Sequence, residues 1–309
     1  MTTRVLSVIP VLLIASILIF IAMRVLPGDP VSVLAQGTPI TPQQRAALTQ
    51  EYHLDESIPA QYVAWLGNAV TGDLGTSLKS NQPVTEILGR AIPRTLLLLA
   101  GAFIVSLLIS LPLGLLAALR EGRPTDQLVI SLTMLLFAVP LFITCVLAIY
   151  VFSYQLDLFP AFGLEFDSFS SVVQHMILPW ITLGLALVAA QTATLRAGLV
   201  DALHQDYIVM AQSRGIPWRT VLRRHALRSA LVPVVTLLGV QLSSMIVGSV
   251  FVDYIFGLGG LGSVLVNAVS FRDLPLVQAS VLLVSAFFIL ANLAVDLVAA
   301  RLDPRYAVR

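Results

Sequence analysis

Charge is what this sequence most lacks. Asp, Glu, Lys and Arg make up 11% of it, against about 25% in an ordinary soluble domain. So few polar groups cannot cover the surface of a water-soluble globule. Lysine is nearly absent. The single one, Lys79, sits in Ser77-Leu78-Lys79-Ser80. A nucleotide-binding P-loop ends in Gly-Lys-Ser/Thr, because its lysine reaches the phosphates, and that ending is missing. If ATP drives this protein, another chain binds it. Cysteine is down to Cys145, inside an apolar run, which excludes an intrachain disulfide and a cysteine metal site. It reads as a small packed hydrophobe. The four histidines (His53, His175, His204, His225) are scattered, with no pair at metal-ligand spacing. A net charge of +1 gives no field that would point to nucleic acid.

What the chain has in quantity is apolar sequence, 57% of 309 residues. A membrane span needs about 20 mostly apolar residues, and six stretches qualify: Val5 to Val25, Thr95 to Leu119, Leu128 to Phe152, Met176 to Leu199, Ala230 to Val252 and Ala279 to Ala300. The first is too long for the apolar core of a signal peptide, and no small-x-small cleavage site follows it. The expectation is an all-α, multi-pass protein of the inner (plasma) membrane. With the N-terminus inside, twelve of the 18 basic residues fall on short inside segments and six on much longer outside ones. Positive charge favours the cytoplasmic side, so both termini are expected there.

The longest outside segment runs from about Leu26 to Arg94. Thr41-Pro42 reads as a helix start, with proline at the first helical position, and Gln43 to His53 as the helix. Ile58 to Val70 reads as a second, with Tyr62, Val63, Leu66 and Val70 on one side. Gly72-Asp73-Leu74-Gly75 reads as a turn. This segment is expected to be a small ordered cap.

The longest inside loop, about 201–229, reads as helix, glycine, helix. Asp206 to Arg214 is helix-compatible, Gly215 sits where a left-handed residue turns the chain, and Pro217 opens a second helix. On that helix Trp218, Val221, Leu222 and His225 share one face at 100° per residue. Arg219, Arg223, Arg224 and Arg228 share the other, where Leu227 is out of place. Such a helix either lies at the lipid interface or docks a cytoplasmic protein.

Here the sequence resembles a known family. Asp206-Tyr207, Ala211, Gly215 and then His225-Ala226-Leu227-Arg228-x-Ala230-Leu231-x-Pro233 is similar to the coupling loop of ABC importer permeases of the peptide/nickel branch. Further matches follow in order: Leu26-Pro27-Gly28-Asp29-Pro30, Gly72 to Ser77, Pro83-Val84, Phe159-Pro160-x-x-Gly163, Leu293-x-x-Asp296-Leu297 and Asp303-Pro304-Arg305. One departure is Gly259, where the family usually has proline.

The resemblance implies a type I ABC importer permease fold. Residues 1–93 would hold the first span and an extracytoplasmic helical segment. Residues 94–300 would hold a five-helix core, and 301–309 a cytoplasmic tail. It implies a coupling role for Asp206, Tyr207, Ala211, Arg214, Gly215, Pro217 and Arg219. The implied partners are a second homologous permease, two cytoplasmic ATPase subunits that use ATP and magnesium, and an outside solute-binding protein. The lipid bilayer surrounds the chain, which itself binds no cofactor and catalyses nothing. The implied cargo is peptides, ahead of nickel. The competing reading is a secondary transporter or channel, which would want buried charges or a filter motif.

Other signals are weaker. Gly257, Gly259 and Gly262 satisfy G-x-G-x-x-G, but a span precedes them and no acid lies about 20 residues on, as a dinucleotide site requires. They read as an outside turn before a short re-entering helix, Ser263 to Ser270. Asp296, near Arg301, reads as a salt-bridged or capping acid, and Asp253 as solvated. Gln241, Ser244 and Gly248 share one helical side, as do Gln191 and Thr194. These five either line the pathway or serve helix packing.

Overall fold

A computed structural model describes residues 8–25, 41–51 and 55–302. The Leu26-to-Pro30 motif, His53 and Asp303-Pro304-Arg305 lie outside the described residues, as does the side chain of Asp296. The described elements are helices: α1 (Val8–Val25), α2 (Pro42–Glu51), α3 (Ile58–Thr71), α4 (Val84–Leu119), α5 (Pro124–Ala138) and α6 (Leu141–Ala148), which runs on as a π-helical stretch, Ile149–Gln155. Then come α7 (Phe169–Leu203), α8 (Asp206–Ser213), α9 (Trp218–Thr220), a second π-helical stretch (Val221–Ala226), α10 (Leu227–Phe256), α11 (Leu261–Ser270) and α12 (Leu274–Leu302). Among the described residues the only β-type pairing is an isolated bridge between Thr76 and Pro83.

The all-α class is as expected. Among the described residues, four helices are long and apolar enough to cross a membrane: α4, α7, α9 with α10, and α12. The third expected span is not one rod. α5 and α6 meet at a bend of 96°. Proline disfavours helical backbone in the residue before it, and Val139 accordingly adopts φ −78°, ψ 124° ahead of Pro140. The pair still crosses. At its start, Asp126 is paired with Arg196, near the α8 end of α7. Beyond its finish, the Gly163 N–H donates to the carbonyl of Phe256 at the other end of α10. Among the described residues that makes five crossings, and α1, of 18 residues, is a further apolar helix.

Two compact units can be told apart, 1–95 with 259–289, and 96–258 with 290–309. In the first, Thr41 and Gln44 form a reciprocal cap on α2: the Gln44 N–H donates to Thr41 Oγ1, and the Thr41 N–H to Gln44 Oε1. α3 ends on Gly72 at φ 91°. Its inner face differs from expectation. Tyr62 and Trp65 pack on buried Phe20, and Ser16 and Tyr62 share a 2.8 Å hydrogen bond, whereas Val63 and Val70 are exposed. The stripe therefore starts at Tyr62 and continues three, four and seven residues on.

Asp273, buried, ties the same unit together. It accepts from Ser77 Oγ at 2.5 Å, from the Leu78 and Lys79 N–H groups, and from the Leu276 N–H in the first turn of α12. Lys79 Nζ lies 3.0 Å from the centre of the Phe271 ring. The glycine run forms a turn, and α11 follows it at Leu261, two residues earlier than expected. Gly259 has φ 72°, which proline, locked near −65°, cannot adopt. The departure from the family's usual proline is thus met by a different turn.

In the second unit α7 is the central helix. Gly184 lies against the Ala102 carbonyl of α4, leaving no room for a Cβ, and Gly198 lies against the Ala230 carbonyl of α10, where a Cβ would be tight at 3.1 Å. Small residues let backbones approach closely in membrane proteins. Gly101 makes space for the Trp180 indole, whose Nε1 donates to Leu97 O at 3.0 Å. Asp253, expected in solvent, is buried at the end of α10. Gly101→Ala should drive the indole from its seat. The expected cost is about 1–3 kcal/mol of overpacking, read as a lower melting temperature in detergent, with Gly67→Ala, which has open space around it inside α3, as the control that should not destabilise.

Candidate functional site

The inside loop folds as a compact protrusion on the end of α7 and α10. Asp206 lies in the first turn of α8, where a negative charge suits the positive end of the helix dipole. After Arg214 the chain reverses at Gly215, with φ 75°. The Gly215 N–H donates to Gln212 O at 2.9 Å and the Ile216 N–H to Ala211 O at 3.3 Å, a left-handed helix ending. Pro217 precedes α9 instead of opening it. Its φ of −56° and ψ of 136° make it the N-cap, and its carbonyl accepts from the Thr220 and Val221 N–H groups.

Three residues anchor this protrusion. Ile208, Val221 and Ala226 are buried with Leu199, Ala202, Ala230 and Val234. The expected inner face Trp218-Val221-Leu222-His225 is therefore only partly right. Val221 is buried and Leu222 half-buried, but His225 and Trp218 are exposed. The π-helical stretch Val221–Ala226 carries the extra residue per turn that distinguishes i→i+5 bonding. It brings Ala226, five residues on, beneath Val221. Arg219, Arg223, Arg224 and Arg228 are exposed as expected, as are Asp206, Arg214, Gly215 and Pro217, while Ala211 is half-buried. Around the turn, Tyr207 (42% exposed), Val209, Met210 and Trp218 (45%) form an apolar outer surface.

The expected pathway residues separate. Gln191 and Gln241 are buried and meet across α7 and α10: Gln191 Nε2 donates to Gln241 Oε1 at 2.8 Å. Gln191 Oε1 accepts from Ser110 Oγ at 2.7 Å, and its Nε2 also donates to Ser106 Oγ. Gln241 Nε2 donates to the Leu187 carbonyl. Every amide proton of Gln191 is used, so this is a polar clamp among α4, α7 and α10. Ser244 is exposed and Thr194 half-buried. Gly248 is a seat for Leu141 and Leu183, which stand within 3.3 Å of where a Cβ would be.

One pair was not foreseen. Arg196 donates from Nε to Asp126 Oδ1 at 2.5 Å and from Nη2 to Oδ2 at 2.6 Å, and the Gly122 N–H donates to the same carboxylate at 3.1 Å. This two-pronged bond fixes the start of α5 to α7. The available signal was two opposite charges at the inside ends of two otherwise apolar spans. The signal for Ser106 and Ser110 was their spacing of one helical turn in an apolar run.

Residues 110–308 match the family described as the binding-protein-dependent transport system inner membrane component, and residues 1–99 match its N-terminal companion family. The chain belongs to this family. It is an inner-membrane, multi-pass permease subunit of an ABC importer, and membership sets aside the channel and secondary-transporter readings. The chain is 38% identical over 302 residues to the glutathione transport system permease protein GsiC of Escherichia coli O6:H1, covering 97% of this chain and 96% of that one. The GsiC of Salmonella paratyphi A is 36% identical over 301 residues, with the same coverage. Among solved structures, the permease fold is similar to a chain of the inward-facing MetNI methionine ABC transporter (TM-score 0.57, 16% identity, 70% of this chain and 96% of that one). For the permease as a class, ATPase partners and a binding protein follow.

The glutamine clamp is open to test. Gln191→Leu should cost about 0.6–2 kcal/mol, the range for polar contacts between membrane helices. Gln191→Leu with Gln241→Leu should cost less than the sum of the two singles, as contacting residues do. Additive losses in detergent unfolding would show that the two amides act separately.

Proposed function

We propose that this permease subunit forms half of the translocation pathway for short peptides, and that the Asp206–Arg219 protrusion is where an ATPase subunit docks. The observation that carries the reading is the protrusion itself. It is anchored by Ile208, Val221 and Ala226 and presents Tyr207, Val209, Met210 and Trp218 outward. A pinned helix–turn–helix transmits a push; a floppy loop does not. An apolar outer surface with a basic rim suits a protein groove, with its apolar centre and polar edge. Tyr207, Ala211 and Gly215 would make the contact, Asp206, Arg214 and Arg219 its charged rim, and Pro217 the start of the second helix.

The peptide reading leans on the glutathione permeases among the relatives, since glutathione is itself a short peptide. Nickel remains the less favoured cargo. In this reading a second, homologous permease completes the pathway, and two ATPase subunits on the cytoplasmic side bind and hydrolyse ATP with magnesium. A solute-binding protein delivers the peptide from outside, and both termini lie in the cytoplasm. The chain itself holds no catalytic, metal or cofactor residues. Residues 1–93 and 94–300 would serve as an entry segment and a transport core.

Gly215→Val tests the docking. A β-branched residue at φ 75° costs roughly 1 kcal/mol or more, and the space around Gly215 is open, so only the turn is strained. Reconstituted dipeptide uptake and co-purification of the ATPase subunits should both fall, with membrane insertion unchanged. Ala211→Asp should act alike, by placing a charge in a half-buried contact. Arg219→Ala, at an exposed position, should do less. Normal uptake in Gly215→Val at wild-type expression refutes the docking role.

The orientation has its own test. Over the native Cys145, which is buried, cysteines are placed at Thr2, Ser80 or Arg309 and sealed cells are treated with an impermeant thiol reagent. Only Ser80→Cys should label; labelling at either terminus overturns the topology.

A further inference from the structure

The break between α5 and α6 leaves backbone groups without partners inside a span. In an unbroken helix the carbonyls of Leu136, Phe137 and Ala138 would accept from the N–H groups of residues 140, 141 and 142. Pro140 has no N–H. Leu141 and Phe142 instead begin α6, where the first N–H groups of a helix have no intrahelical acceptor. Among the described residues, no hydrogen bond to these three carbonyls or from these two N–H groups is found outside the helices' own ladders. The place is not packed shut. Phe137 is 60% exposed, and a cavity of about 190 Å³ opens beside the break, lined by Leu136, Val139, Pro140, Thr144, Thr182 and Ala186 among others. At about 30 Å³ of liquid per molecule, it has room for several waters.

Lipid is a costly neighbour for such groups. Irregular backbone at membrane depth persists only where protein buries it or where it lines a water-filled space, because each unsatisfied group in hydrocarbon costs several kcal/mol. The bend is also held in place. Gly248 on α10 receives Leu141, the first residue of α6, and the Asp126–Arg196 pair fixes the start of α5. The break is therefore a built feature of the span and not a frayed end.

We propose that the Leu136–Phe142 break is a hydrated station in the pathway wall, where backbone acceptors and donors bind the peptide bond of the passing solute. Three carbonyls and two N–H groups complement an amide, which brings one donor and one acceptor. Contacts made by backbone alone are indifferent to the peptide's side chains, so such a wall admits peptides of differing sequence. The proposal rests on the peptide reading of the preceding section for its ligand, but not for its hydration.

The test uses the complete importer in vesicles. Val139→Cys is introduced over the native Cys145, whose side chain is buried in the same span and supplies the baseline. A water-soluble methanethiosulfonate should modify Val139→Cys at least about tenfold faster than the wild-type chain, as a wetted site should relative to a packed one. Modification no faster than the wild-type baseline overturns the proposal, whatever the cargo. An alanine dipeptide should slow the reaction. Its ester analogue, one N–H donor short, should protect with roughly fivefold lower affinity, the factor one hydrogen bond is worth. Equal protection by the two overturns the peptide-bond contact. Dipeptide uptake is measured in the same vesicles. If it is absent, the peptide reading has failed, and the labelling rate alone decides whether the break is wet. Pro140→Ala, which restores an N–H, should lower uptake while the ATPase subunits still co-purify. Unchanged uptake in this variant also counts against the station.

Discussion

The close approach of α7 to its two neighbours is the contact on which the second unit depends. Gly184 and Gly198 bring its backbone against α4 and α10, with no room for a Cβ at the first crossing and little at the second. In a bilayer the helices gain little from burying apolar surface against one another, since lipid tails are equally apolar; packing and interhelical hydrogen bonds do the work. Only at this distance can Gln191 reach Ser106, Ser110 and Gln241 together. The Gln191 amide is satisfied in the process, where an unpaired one would be costly in a low dielectric.

The protrusion takes its stiffness from the same framework. Its anchors Ile208, Val221 and Ala226 sit on Leu195, Leu199 and Ala202 of α7 and on Ala230 and Val234 of α10. The π-helical stretch before α10 matters here, because it adds one residue to the turn and brings both Val221 and Ala226 inward. π-Bulges occur often at functional sites, and in this chain one lies at the joint between protrusion and span. The outer surface is left apolar at Tyr207, Met210 and Trp218. A surface of that kind on an otherwise polar loop suits the docking proposed for it.

The span made of α5 and α6 obeys a different constraint. Pro140 forbids a continuous helix, yet the span must still connect the Asp126 end to the Gly163 end. A 96° bend is tolerable only if the freed backbone groups meet water or polar partners. Packing of Leu141 on Gly248 keeps the bend from straightening. The rigid core and the bent span thus belong to one unit: the core holds position, and the bend places polar backbone among mostly apolar side chains.

The sequence by itself determined everything set by neighbours along the chain. The apolar runs are legible because a span needs a fixed length of them. Thr41-Pro42 before α2, Gly72 after α3 and Gly215 after α8 are legible because helix starts and left-handed turns are chemistry within a few residues. The ordered motifs around Asp206-Tyr207, Ala211 and Gly215 carried the family. Only the tertiary structure decided what meets across distance. It paired Asp126 with Arg196, made Gln191 and Gln241 a buried clamp, turned Gly248 into a seat for Leu141, and buried Asp253, which read as solvated. It also rotated the inner faces of α3 and of the helix after Pro217. In the second case a single extra residue in the turn defeats a count at 100° per residue. Side chains of similar composition read alike in a list. Whether a neutral glutamine faces a pore, a neighbour or lipid depends on which helix lies beside it and how closely, and for Gln191 that distance is set by Gly184 and Gly198, two turns to either side of it on α7.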